Sequence, residues 1–190
     1  VSAAFGNDLA TLPNYPAEIR APAGTIAGVS SFQVHIAGRD IVTPGDAPNL
    51  LVAMNPAALK ANLADVPRGG SIIVNTDEFT KRALQKVGYE GNPLEDGSLD
   101  SFRVHPIALT SMTVEALKDF DISKKDAERS KNMFALGLLC WLYNRPVEGT
   151  IAFLEQKFGK KPEILAANVA AFKAGSAPDL FSEIVATAGL

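Results

Sequence analysis

The sequence predicts an α/β domain with a mainly parallel sheet in a three-layer arrangement, followed by a helical carboxyl-terminal portion. Two observations carry that expectation. Leu50–Met54 is a continuous apolar run and Ser71–Asn75 contains a second, Ile72-Ile73-Val74, with a helical segment between them. Buried strands joined by a helical crossover pair in parallel and carry helices on their faces. From Ser111 onward, apolar residues recur at helical spacing instead. The 190 residues suffice for one domain or two small ones. A hydrophobic fraction of 47% against 21% charged is that of a soluble globular chain and excludes a wholly disordered one.

Taken in order, Val1–Phe5 closed by Gly6 reads as the last turn of a helix with a glycine C-cap, so the start of that helix is expected to be missing. Asn7–Leu12 is a short strand. Pro13–Gly28, punctuated by Pro13, Pro16, Pro22, Gly24 and Gly28, is a long loop of the kind that carries function or an interface. Val29–Ala37 alternates, with Phe32, Val34 and Ile36 opposite Ser31, Gln33 and His35, and is expected to bury its apolar face. Ile41–Thr43 follows a Gly38-Arg39-Asp40 turn as its hairpin partner or an edge. After the Leu50–Met54 strand, Asn55 supplies an N-cap and Pro56 an N1 proline for a helix over Ala57–Val66. Pro67-Arg68-Gly69-Gly70 stops that helix. Thr76 is expected to cap the next one, with Asp77 and Glu78 in its first turn. A third apolar strand, Phe102–Leu109, follows the turn-rich stretch Tyr89–Ser101. Helices are predicted over Thr113–Phe120, from a Ser123/Asp126 capping box to Tyr143, and over Val147–Phe158 and Pro162–Lys173. The second half of the long helix, Met133–Leu142, is apolar on nearly every face and must be buried.

Composition narrows the chemistry. A net charge of −3 provides no global field for nucleic acid or anionic membrane. The longest apolar run, Met133–Leu142, is well short of the roughly 20 residues a membrane span requires. One cysteine, Cys140, excludes an intramolecular disulfide and a cysteine-cluster metal or iron–sulfur site, and fits a reducing, cytoplasmic compartment. No Gly-rich phosphate loop is present, and Arg68-Gly69-Gly70 precedes a strand, as a turn does. In open α/β sheets ligands gather at the carboxyl ends of the strands. Those ends here present Asn55, Thr76 with Asp77, and Thr110 with Ser111, each also the natural cap of a following helix. Arg20 in the proline-rich loop is an anchor for an anion, an interface residue or a surface ion-pair partner of Glu18. Lys131 and Asn132, where the long helix turns from charged to apolar, are equally open. His35 and His105 read as satisfied structural histidines, and Cys140 as a small buried hydrophobe. No nucleophile–base pair or carboxylate dyad stands out, so the residues alone describe a binding or assembly domain.

Specific strings go further. Pro16-Ala17-Glu18-Ile19-Arg20-Ala21-Pro22-Ala23-Gly24-Thr25, Val29-Ser30-Ser31-Phe32-Gln33 and Leu51-Val52-Ala53-Met54-Asn55-Pro56-Ala57-Ala58-Leu59 resemble the γ domain of 2-oxoacid:ferredoxin oxidoreductases. So do Asn75-Thr76-Asp77-Glu78-Phe79-Thr80-Lys81-Arg82 and Ser123-Lys124-Lys125-Asp126, running on to Lys131-Asn132-Met133-Phe134-Ala135-Leu136-Gly137. The resemblance is strongest to the two-subunit 2-oxoglutarate type, whose α subunit begins with this domain, and it covers nearly the whole chain.

That resemblance implies a Rossmann-like domain over 1–175, with 176–190 a tail or linker toward a following domain. It implies a larger enzyme that decarboxylates a 2-oxoacid on thiamine diphosphate, passes electrons through an iron–sulfur cluster to ferredoxin and forms acyl-coenzyme A. The thiamine-binding domains of the α and β subunits and the cluster ligands would lie outside this chain, in keeping with its single Cys and two His. In the family this module packs on the catalytic domains and is associated with the coenzyme A side of the active site. On that basis Arg20, in the family's Glu-x-Arg element, then Asn55 and Asn132, are the residues expected to face coenzyme A or an interface. The family's opening strand and Gly-Asp-Ser-Gly-Asp-Gly-type turn have no counterpart here. The competing expectations are a purely structural assembly domain and a free-standing Rossmann-like nucleotide-binding enzyme, the latter needing a glycine-rich turn that the chain does not contain.

Overall fold

The structure is a computed structural model that describes residues 8–14, 29–37, 40–41, 45 and 47–178. The expected helix end at Val1–Gly6, most of the Pro13–Gly28 loop including Arg20, and the carboxyl-terminal stretch from 179 lie outside the described residues. The described residues divide into two compact units, one within Asp8–Ile107 and the other over 108–178.

The first unit holds two sheets. Strand β1 (Asp8–Asn14) pairs antiparallel with β2 (Ser31–Ala37), Ala10 opposite His35 and Thr11 opposite Val34. The partner of β2 is therefore β1; Ile41 lies outside any strand. Strand β2 also departs from expectation in orientation. Its alternation is present, but Phe32 is 52% and Val34 44% exposed, while Ser31, Gln33 and His35 are half-buried. The chain covers the polar side: Gln33 Nε2 donates to the Gly45 carbonyl at 2.8 Å, and a Cβ built on Gly45 would come within 3.6 Å of His35 Nδ1. A two-stranded ribbon has no further layer of its own to put over the other side.

The second sheet follows the prediction closely. Strands β3 (Leu50–Ala53), β4 (Ser71–Asn75) and β5 (Arg103–Ile107) are parallel in the order β3-β4-β5. Helix α1 (Pro56–Asn62) continues as a 3-10 turn, Leu63–Asp65, and helix α2 (Lys81–Val87) follows β4. Thr76–Glu78 forms only a 3-10 turn, so the cap expected at Thr76 falls on Thr80, whose Oγ1 accepts the Ala83 N–H at 3.3 Å. Alternation along the strands turns Ala53, Ile72 and Val74 toward one core with Leu59, Val66, Phe79, Leu84 and Leu99. Val104 joins that face, which leaves Ile73, Asn75, His105 and Ile107 on the opposite one. Lys60 ties α1 to the end of α2. Its Nζ donates to the Val87 and Gly88 carbonyls at 2.9 and 3.0 Å and lies 5.0 Å from the Tyr89 ring centre, satisfying acceptors that a helix end leaves open. Gly88 takes the left-handed conformation (φ 78°) that closes α2.

The second unit is helical: α3 (Leu109–Ala116), α4 (Lys124–Arg129), α5 (Lys131–Leu142), α6 (Glu148–Phe158) and α7 (Pro162–Gly175). Leu109 and Thr110 open α3, so the third strand stops at Ile107, short of the predicted Leu109. The helix expected from Ser123 to Tyr143 is two helices broken at Ser130, the last position of one and the first of the next. There the Ser130 N–H bonds Ala127 and its carbonyl accepts from Met133, both i→i+3 bonds that tighten the chain into a corner. Ser123 does cap α4, its Oγ accepting the Asp126 N–H at 3.2 Å and donating to the Asp126 carboxylate at 2.6 Å.

Helices α5 and α7 meet backbone to backbone. Each carries a Phe-x-x-Gly sequence, Phe134 to Gly137 and Phe172 to Gly175, and both rings are buried. A methyl at Gly137 would fall on the Phe172 carbonyl oxygen, and one at Gly175 on the Phe134 carbonyl oxygen. The contact is reciprocal and the helices run antiparallel. Gly137→Ala and Gly175→Ala are each expected to destabilise the fold by about 2–3 kcal/mol, because rigid backbone cannot yield. Gly149→Ala, with no atom in reach of its Cβ, should instead stabilise by about 0.5–1 kcal/mol. Urea unfolding midpoints of the three variants check the pattern, and three equal midpoints would contradict it.

Candidate functional site

The carboxyl ends of β3 and β4 lie side by side, since Ala53 pairs with Val74 in parallel register. They place Asn55, Asn75, Thr76 and Asp77 along one sheet edge. Asn55 is extended (φ −163°, ψ 168°), and its Oδ1 accepts the Ala58 N–H at 2.8 Å while Pro56 occupies the first helical turn. Its side-chain oxygen therefore starts α1, and only the amide NH2 remains to meet a ligand. Thr76, Asp77 and Glu78 are half-buried beside it, and the two carboxylates oppose an anion at this edge.

Asn75 was not singled out by sequence reasoning. It ends the Ile-Ile-Val run and is fully buried, although it provides no side-chain cap to the turn that follows. An amide closing an otherwise apolar strand is the available signal, because most buried polar groups are kept where they are bonded. His105, two positions before Ile107 on the same sheet face, corrects the expectation of a satisfied histidine. It is buried, and neither ring nitrogen has a hydrogen-bond partner. Burial, and after it the positive charge of Arg103, pushes its pKa below the usual 6.5, so the ring is neutral.

The remaining candidates fall on other elements. Asn132 is exposed on the first turn of α5, in the helical unit, and Lys131 is half-buried beside it. Arg20 lies outside the described residues. Thr110 and Ser111, expected at a strand end, sit inside the first turn of α3. Arg68-Gly69-Gly70 is a turn, as predicted. Cys140 is buried in α5, and burial raises its thiol pKa, which leaves it an unreactive apolar side chain. Among the described residues, no group of three His, Cys, Asp or Glu side chains converges on a metal position, and no helix is long and apolar enough to cross a membrane. A lone buried cysteine does not fit an iron–sulfur cluster, which takes several thiolates. The sheet unit also has a cavity of about 350 Å³ lined by Leu94, Leu99, Phe102, Val104 and Asp100. Its lining offers one carboxylate and no base–nucleophile pair. Among the described residues no catalytic constellation is brought together.

The sequence matches the pyruvate ferredoxin/flavodoxin oxidoreductase family over residues 1–177. It is 63% identical over 174 residues to the 2-oxoglutarate oxidoreductase subunit KorA of Mycobacterium tuberculosis, an alignment covering 92% of this chain and 27% of KorA. Among solved structures, the 2-oxoglutarate:ferredoxin oxidoreductase of Magnetococcus marinus with 2-oxoglutarate, coenzyme A and succinyl-CoA bound superposes with a TM-score of 0.65. That match is 24% identical and covers 98% of this chain and 27% of the other. The γ subunit of a keto/oxoacid ferredoxin oxidoreductase from Geobacter sulfurreducens follows, with a TM-score of 0.55, 17% identity, and coverage of 92% and 82%. These two structures speak to the fold. The chain spans about a quarter of the length of KorA and of the Magnetococcus subunit.

Two measurements test the local chemistry. Asn55→Ala is expected to cost about 1 kcal/mol through loss of the α1 cap, and Asn55→Asp to retain most of the stability. For His105 the depressed pKa fixes the sign: the unfolded chain binds a proton more readily than the folded one. Stability is therefore level above about pH 7 and falls as the pH drops through 6.5 toward the lower folded value. His105→Leu should flatten that part of the profile, measured by denaturant unfolding across the range.

Proposed function

Because the chain belongs to the pyruvate ferredoxin/flavodoxin oxidoreductase family, we propose that it is the γ-type domain of a 2-oxoacid:ferredoxin oxidoreductase whose substrate is 2-oxoglutarate. The observation that carries this reading is the 63% identity to a 2-oxoglutarate oxidoreductase subunit across 92% of the chain. The assembled cytoplasmic enzyme oxidatively decarboxylates the 2-oxoacid in the presence of coenzyme A. The products are carbon dioxide and the acyl thioester, and the electron pair passes to ferredoxin. Thiamine diphosphate, on the thiamine-binding domains of the α and β subunits, supplies the electron sink for decarboxylation, and an iron–sulfur cluster outside this chain relays the electrons.

The part played by this chain is packing and ligand contact. The outward apolar face of β2, with Phe32 and Val34, supports the first role, since it offers a neighbouring domain an apolar surface that the described residues leave in water. Arg20, Asn55 and Asn132 are the residues assigned to the coenzyme A side. Arg20 is the only cation among the three, and a guanidinium pairs with phosphate in bidentate fashion. One observation favours a purely structural alternative: Asn55 already spends its carbonyl oxygen on α1.

In the complete enzyme, Arg20→Ala is expected to raise KM for coenzyme A about tenfold or more while leaving subunit assembly intact, the loss appropriate to one charge-assisted contact. An unchanged KM together with altered assembly would establish the scaffolding alternative. The chain without its partner domains should show no 2-oxoglutarate turnover, and turnover by it alone would overturn the proposal.

A further inference from the structure

Helix α6 ends in a cluster that its own fold does not use. Thr150 and Leu154 form the buried side of the helix, whereas Phe153, the residue before Leu154, stands 54% exposed. Lys157, one turn further on, places its Nζ 5.5 Å from the centres of both the Phe153 and Phe158 rings. Such stacking over a ring face orders the ammonium without neutralising it. The turn into α7 adds Lys160 and Lys161, both exposed. Among the described residues none of the three lysines makes an ion pair, whereas Lys118 pairs with Glu115 and Arg129 with Asp126. Between Phe153 and Glu163, three lysines face two glutamates, Glu155 and Glu163, a local excess of positive charge in a chain whose net charge is −3.

We propose that the end of α6 and the turn into α7 form a docking surface for a carboxylate-rich segment of a partner protein bearing an apolar side chain. The apolar side chain would cover Phe153, and the carboxylates would pair with Lys157, Lys160 and Lys161. Charge complementarity selects this occupant. A nucleic acid or an anionic bilayer extends its charge well past so small a patch, and the rest of this acidic chain repels it. A protein segment brings a few localised carboxylates and an apolar contact in the same step, the pattern of a small interface with an aromatic anchor and a charged rim. The surface does not depend on the reaction assigned to the assembled enzyme.

The test titrates the full-length polypeptide with a fluorescent peptide of alternating Glu and Leu, followed by anisotropy. Binding is expected to weaken about tenfold or more between low salt and about 0.3 M salt, as screened surface pairs do. The triple substitution Lys157→Glu, Lys160→Glu, Lys161→Glu should abolish it. Phe153→Ser should weaken binding severalfold while preserving its salt dependence. All four side chains are exposed, so circular dichroism of the variants should match the parent. Equal peptide affinity in the triple variant, or no effect of Phe153→Ser, would overturn the proposal. So would tighter binding of a single-stranded oligonucleotide or a phosphatidylserine vesicle, if the triple variant lost it too.

Discussion

Where α5 crosses α7, two carbonyl oxygens occupy the space that side chains would fill. Gly137 and Gly175 make that possible, and each stands one turn after a buried phenylalanine that closes the contact from its own helix. The arrangement fixes more than a distance. Because each glycine faces the other helix's Phe carbonyl, sliding by even one residue would present a Cβ to a backbone oxygen. Register, antiparallel direction and close approach are therefore set together. The short helices α3, α4 and α6 are too small to order themselves in water and draw their stability from packing within this unit.

The sheet unit rests on a different economy. The face toward α1 and α2 is built from Ala53, Ile72, Val74, Leu59 and Leu84, and its energetics are those of apolar burial. The opposite face buries Asn75 and His105 among Ile73 and Ile107. An imidazole with neither nitrogen bonded costs stability that a leucine of similar size would not. The cost is tolerable only because the ring stays neutral, which desolvation itself ensures.

Much of this was legible in the residues, for identifiable reasons. Strands β3 and β4, the Asn55 cap and the buried half of α5 each rest on a local signal, whether an uninterrupted apolar run or a capping side chain next to a proline. Two errors share a different cause. Thr76 and Thr80 are chemically equivalent caps four residues apart, and tertiary packing of Phe79 into the core decides between them. The long helix from Ser123 has no proline or glycine at Ser130, so nothing local announces the corner. The orientation of β2 could not be read from alternation, which gives the period of a strand but not the side on which the chain lays its covering. Of the candidate site, Asn55 was found as a cap, while the unpartnered state of His105 appears only in three dimensions. The functional reading came from specific strings such as Glu18-Ile19-Arg20, whose meaning lies in kinship and not in periodicity.

The β1–β2 ribbon has a consequence for how such a chain aggregates. Within the described residues the ribbon is a sheet of two strands, and its outward face carries Phe32 and Val34. Exposed apolar side chains on a strand recruit other chains indiscriminately when their proper cover is missing. An apolar face left in water on so thin a ribbon is then where aggregation of the chain would begin, ahead of any loss of packing in the β3–β4–β5 core.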